Sequence, residues 1–387
     1  MRKAIKVDTC YRFNRDSSSW DKMDVLDIET GDKVPENQYL SMVCFNILFS
    51  SPFSDTILRS LSMDKQRFEY LADTLIPSFK SDIICLQEII PDALEHILNN
   101  DYIRSNYFIS AVPGDLRVYD SMIISRYPFM VAGFRRLRIG IFETRIGSPL
   151  ICNSFHLVAR ETQHQMQKRF AELRLIGKIF NNPDCLEGVS SVENKAKRMI
   201  NAAVQKGNII CSGDMNFHNI GETDILYELG YEDVWLSLRN LEEGYTWDPK
   251  MNQFIGLLLP CDNRRMRLDR IFFSKSSKNL IFRDIQIICN KPIPGLSKFC
   301  YKVFPSDHFG LKAHFQLTTD TNQVQHRPSF DYTQNRTAIV RDIDPWTTGY
   351  RSVKKIIAYR VMMVILMCMI LIGSLVAVVV MLVKVLK

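Results

Sequence analysis

The 387-residue chain predicts an α/β fold in which stacked β-sheets are flanked by helices. Three observations support that expectation. Apolar runs of strand length are interspersed with longer stretches of helical spacing, the pattern of layered α/β proteins. A hydrophobic fraction of 46% with 24% charged residues supplies a full core. Four short runs, Ser81–Glu88, Asn208–Asn216, Met266–Asp269 and Phe304–His308, each end in an acid or an acid with a polar partner. Burying such charges without a partner or a metal is costly, so strands that deliver them at their ends suit a metal-assisted hydrolysis site better than a core.

The elements follow in order. Residues 1–37 are polar and are expected to form a loosely ordered lead-in to one catalytic domain over 38–317. Tyr39–Phe49 predicts the first strong strand, broken at Asn46. Asp64–Ile76 has helical spacing, with Phe68, Leu71 and Leu75 on one face and Pro77 as a stop. Asp82–Gln87 predicts a strand, and Pro91–Leu98 a short helix with proline in its first turn. Ser121–Ser125, Met130–Leu137 and Leu150–His156 predict strands, and Gln163–Phe180 and Val192–Gln205 predict helices. Asn208–Cys211 predicts a strand feeding a polar loop that holds Asp214, Asn216 and His218. Arg267–Ser274, Ile281–Cys289 and Gly310–Leu317 close the domain, and polar residues 318–360 predict a flexible tether.

Val361–Val383 contains 23 residues, of which only Gly373 and Ser374 fall outside the strongly apolar set. As a helix of about 35 Å it is long enough to cross a bilayer, so a single C-terminal transmembrane helix is expected, with a buried core helix as the alternative. Four basic residues precede it and two follow, which favours a tail anchor with the catalytic domain in the cytosol or nucleoplasm. The net charge of +7 is concentrated there: residues 351–387 carry six basic groups and no acid, leaving 43 basic against 42 acidic residues elsewhere. That balance excludes a globally basic nucleic-acid binder and makes any phosphate attraction local. Ten cysteines without a CxxC pair fit a reducing compartment.

Glu88 at a strand end is either solvated or a ligand for Mg²⁺, which takes one or two carboxylates and keeps several waters. Asp214 and Asn216 sit at alternate positions after Gly213, so their side chains share one side. The carboxylate can orient a water, the amide can donate to a phosphate oxygen, and the simpler reading is an Asx turn. His308 beside Asp307 offers general acid–base chemistry, and Asp269 is a candidate partner that fixes its tautomer. His156 closes a strand and is either a phosphate contact or a satisfied core histidine.

Asn46, Glu88, His156, Asp214 with Asn216, Asp269, and Asp307 with His308, in this order over about residues 40–317, resemble the endonuclease/exonuclease/phosphatase superfamily. The resemblance implies a four-layered α/β sandwich, two stacked mixed sheets flanked by helices, that hydrolyses phosphoesters with Mg²⁺ or Mn²⁺. It implies Glu88 as metal ligand with Asp307 beside the metal, Asp214 activating water or assisting the leaving group, and His308 with Asp269 stabilising the transition state. Asn46, Asn216 and His156 are then phosphate contacts. Leu86–Pro91, Tyr245–Asn252, Arg267–Phe273 and Phe304–Leu311 resemble the tyrosyl-DNA phosphodiesterase branch, with Trp247 as a substrate contact. Leu48 and Ala159 depart from that branch, which usually has an aspartate at the first position and a hydroxyl that meets phosphate near the second. The implied partner is nucleic acid with a 5′ adduct, or phospholipid if the anchor marks a lipid phosphodiesterase of the sphingomyelinase kind. A catalytically inactive membrane-anchored binding module is the reading from another class. A monomer is expected.

Overall fold

The computed structural model describes residues 5–48, 62–116, 120–134, 136–218, 220–259, 262–325 and 327–343. Two mixed eight-stranded sheets stack face to face. The first runs, in spatial order, Leu186–Glu187, Ile5–Thr9, Phe129–Phe134, Leu137–Phe142, Leu150–His156, Ile209–Asp214, Asp269–Ser274 and Tyr231–Asp233. The second runs Leu280–Ile288, Gly310–Leu317, Tyr39–Asn46, Ile83–Ile89, Asp120–Ser125, Phe108–Ile109, Tyr11–Asn14 and Ser19–Lys22.

Side-chain alternation explains why the central strands are apolar throughout. Ile210 faces the second sheet and packs in one cluster with Met42, Cys44, Cys85 and Phe273. Its neighbours Ile209 and Cys211 face outward, in a cluster with Leu173, Ile176 and Met199 of helices Gln163–Asn181 and Ser190–Lys206. On the other side Ile84 and Leu86 pack against Phe68, Leu71, Leu94 and Ile97. The order helix, sheet, sheet, helix is therefore the α/β arrangement expected.

Several expected elements differ. The lead-in is not irregular: Ile5–Thr9 joins the first sheet, and Tyr11–Asn14 and Ser19–Lys22 extend the second. Ile5 and Val7 are buried, but the strands sit toward sheet edges where polar residues on the open face mask the pattern. Pro77 does not stop its helix. A π-helical turn at Leu71–Leu75 widens the backbone, and helix Ile76–Phe79 continues through the proline until Lys80 turns left-handed. The expected strand Met130–Leu137 is a hairpin, Phe129–Phe134 against Leu137–Phe142.

Part of the expected tether is ordered, with helices Thr321–Gln325 and Tyr332–Ile343. Among the described residues no helix is long and apolar enough to cross a membrane. The Val361–Val383 segment lies outside the described residues.

Candidate active site

Two parallel pairs of strands, one antiparallel neighbour and one turn deliver the polar groups to the same end of the stacked sheets. Strand Tyr39–Asn46 pairs in parallel with Ile83–Ile89, and Leu150–His156 in parallel with Ile209–Asp214, so Asn46, Glu88, His156 and Asp214 emerge at carboxyl ends. Asp214 is the last residue of its strand, directly across from Asp269 in the antiparallel partner. Gly213 before it lies within the strand rather than in a turn after it. Its φ is 150°, and a Cβ there would fall 2.1 Å from the Phe155 carbonyl oxygen, so only glycine permits this approach of the two strands. Glu88 sits in a register irregularity between Leu86 and Ile89 with φ of 62°, a strained conformation for a non-glycine residue that re-aims its side chain.

Oδ2 of Asp214 is the hub. Asn46 Nδ2 donates to it at 3.0 Å and to Glu88 Oε1 at 3.1 Å, joining the two acids through one amide. His156 Nε2 lies 3.5 Å from Glu88 Oε1 and 3.6 Å from Asp214 Oδ2. His308 Nδ1 pairs with Asp269 Oδ2 at 2.7 Å, and its Nε2 lies 3.9 Å from Asp214 Oδ2. Trp247 meets the His308 ring edge-on at 5.2 Å, and its buried indole N–H has no hydrogen-bond partner among the described residues.

The electrostatics follow from burial and proximity. Burial, reinforced by Asp269 and Glu88 and opposed by His308, pushes the Asp214 carboxyl up to about 7. Burial raises Asp307 as well, against the pull of His308 and Arg67. Burial works against a charge on His308, but Asp269, Asp214 and Asp307 outweigh it, so the imidazole is held protonated well above its ordinary range. His156 moves the other way: burial, then Arg136 and His308, keep it neutral.

Each expected site residue can be placed. Asn46, Glu88, His156, Asp214, Asp269 and His308 converge, forming two overlapping groups able to hold a metal ion: Glu88, His156 and Asp214, and Asp214, Asp269 and His308. Asn46 has its amide committed to the two acids, while its Oδ1 accepts the Leu48 N–H at 3.0 Å. Asn216 takes the Asp214 carboxylate with its own N–H at 2.9 Å and turns its amide to the Leu157 carbonyl at 3.0 Å. Asp307 belongs to neither metal group, and its Oδ1 accepts the Ser306 hydroxyl at 3.2 Å.

These groups fit a divalent cation. Asp214, Asp269 and Asp307 surround one protonated imidazole, Glu88 lies beside neutral His156, and Asp269 Oδ1 is buried with no hydrogen-bond partner among the described residues. Clustered oxygens with excess negative charge suit a hard ion such as Mg²⁺ or Mn²⁺.

Supporting residues escaped the sequence reading. Arg67 is buried and donates to Ile47, Leu48, Ser62 and Pro305 carbonyls, tying the turn after Asn46 to the turn before Asp307. Thr246 Oγ1 accepts the N–H of both Leu268 and Asp269, and its carbonyl accepts Phe309 N–H, so one residue registers both partners of the His308–Asp269 pair. Asn252 donates to the Ser306 and Asp307 carbonyls. The Tyr245–Asn252 stretch was singled out in the sequence, but nothing local signals these roles.

Comparison with known proteins agrees with this architecture. Residues 44–308, well over half of the chain, match the model of the Endonuclease/Exonuclease/phosphatase family. The chain is 24% identical to tyrosyl-DNA phosphodiesterase 2 of Homo sapiens over 254 residues, covering 62% of this chain and 60% of that protein. It is 22% identical to the Gallus gallus protein of the same name over 255 residues, 62% of this chain and 59% of that one. The chain thus spans about three fifths of the length of these curated relatives. D. rerio TDP2 complexed with a single-strand DNA product superposes with a TM-score of 0.50 at 21% identity, over 72% of this chain and 99% of that one. Beta toxin from Staphylococcus aureus gives 0.51 at 19% identity, over 71% and 99%. Both structural likenesses show the fold alone. With the family match spanning the strands that carry Asn46 to His308, the chain belongs to the endonuclease/exonuclease/phosphatase family.

Proposed function

We propose that this protein is a divalent-metal-dependent phosphodiesterase of the tyrosyl-DNA phosphodiesterase 2 type, acting on 5′-phosphotyrosyl or related nucleic-acid phosphodiesters. The observation that carries the reading is the convergence of Asn46, Glu88, His156 and Asp214 with the His308–Asp269 pair at one end of the sandwich. The similarity to tyrosyl-DNA phosphodiesterase 2, and the single-strand DNA product in the D. rerio structure, support the choice of substrate. The apolar run at 361–383 supports tail anchoring in a membrane, with the catalytic body on the cytosolic or nucleoplasmic side.

Glu88 and Asp214 would hold Mg²⁺ or Mn²⁺, which supplies charge stabilisation to the phosphoryl oxygens when bound. Asp214, as a carboxylate, accepts a proton from the attacking water while the water oxygen forms its bond to phosphorus. His308, kept protonated by Asp269, donates from Nε2 to a non-bridging oxygen as negative charge builds on it. The bond from phosphorus to the leaving oxygen then breaks, and that oxygen takes up a proton from solvent. Trp247 offers an aromatic wall and an unused N–H beside this centre.

The full chain in detergent, offered 5′-phosphotyrosyl DNA, sphingomyelin and polyadenylate in Mg²⁺, tests the reading. Release of tyrosine from the DNA, lost in His308→Ala, supports it. Turnover of sphingomyelin alone supports a lipid phosphodiesterase, and no turnover of any substrate supports a binding module.

A further inference from the structure

We infer that the ordered start of the C-terminal segment is a clasp that positions the catalytic loop, with Tyr332 and Arg336 as its positioning residues. Tyr332 is buried, and its ring stacks on Tyr227 at 3.7 Å and packs with Leu236. Its hydroxyl donates to Asp224 Oδ1 at 2.7 Å. Arg336 reaches the same carboxylate with two bonds, Nε to Oδ1 at 2.9 Å and Nη2 to Oδ2 at 2.7 Å. A bidentate guanidinium and a hydroxyl on one carboxylate make a specific, directional grip rather than a casual surface contact.

What they grip leads to the site. Asp224 and Tyr227 belong to helix Ile220–Glu228, which follows the loop carrying Asp214, Asn216 and His218. The first turn of that helix holds the loop: Glu222 accepts His218 N–H at 2.7 Å and pairs with buried Arg169. Arg169 in turn donates to the Val158 and Arg160 carbonyls just beyond His156. Thr223 accepts from Arg270, the residue after Asp269, and Arg270 lies over Phe217 at 5.5 Å. The helix thus meets the catalytic loop through Glu222 and the C-terminal segment through Asp224 and Tyr227.

The inference rests on the proposed function for its effect on turnover, but not for its structural content. Hydrogen exchange on the full chain in detergent reads the structure directly. Arg336→Glu is expected to lower protection of residues 214–228 about tenfold or more, while strands such as Leu150–His156 stay as protected as before. The charge swap Asp224→Arg with Arg336→Asp is expected to restore protection, a rescue that mere loss of surface packing does not give. Turnover of 5′-phosphotyrosyl DNA is expected to fall with protection and recover with the swap, through kcat rather than KM. Unchanged protection of 214–228 in Arg336→Glu overturns the clasp. Protection that falls and recovers while turnover stays constant overturns the positioning role. A wild type without activity leaves exchange as the deciding readout and condemns the functional reading instead.

Discussion

Two sets of buried charges lie within one strand spacing of each other, and they are built on opposite principles. Asp269 points to the active site and Arg270, its neighbour in sequence, points away. On Arg270's side the acids are matched: Asp233 takes Arg267 at 2.9 Å and Arg270 at 3.5 Å, and Glu222 takes Arg169. On Asp269's side Asp214, Asp269 and Asp307 crowd one protonated histidine, and Glu88 is joined to Asp214 through the Asn46 amide. The paired set needs nothing from outside the chain. The acid-rich set stores repulsion that a cation and a phosphate can relieve, which is what distinguishes a site from a scaffold.

The comparison breaks most clearly through an acid on each side. Asp214→Asn is expected to reduce turnover by about 10²- to 10⁴-fold, as for loss of a positioned acid–base group. It is expected to leave the metal-free protein at least as resistant to urea as wild type, because it removes a charge that burial disfavours. Asp233→Ala is the converse: it strands two arginines and removes the cap on Trp235 N–H. It is expected to cost about 3–5 kcal/mol in urea denaturation, the penalty for breaking a buried pair. Equal effects of the two substitutions on stability would erase the distinction.

A smaller effect separates the scaffold from the site by pH. Burial, with Arg169 nearby, depresses His218 from 6.5 to about 3 in the folded chain. The unfolded chain therefore binds a proton between these values that the folded chain does not. The stabilisation is full above pH 6.5 and is lost as pH falls toward 3, reaching about 2 kcal/mol at pH 5. His218→Gln is expected to flatten that slope in thermal melts at pH 7.5 and 5.0. An unchanged slope would assign the acid sensitivity elsewhere.

The same contrast explains how much could be read from the sequence. The acids of the site were visible because Glu88 and Asp214 lie at the carboxyl ends of apolar strands and Asp269 opens one, places where a charge has no local excuse. The paired set was invisible. Arg67 meets Pro305 across 238 positions, and Arg336 meets Asp224 across 112, so their meaning exists only after folding. Short edge strands before residue 38 and the docked helix Tyr332–Ile343 were hidden by polar composition. Pro77 lies within a helix because a π-helical turn, which leaves no sequence mark, accommodates it.

A divalent cation completes the acid-rich cluster of Glu88, Asp214 and Asp269. Isothermal titration of Mn²⁺ into the metal-free protein tests it most directly. Saturable binding in wild type that is lost in Glu88→Gln and Asp214→Asn, and retained in Asp233→Asn, is the predicted result. Binding that is absent in wild type, or indifferent to Glu88 and Asp214, would contradict it.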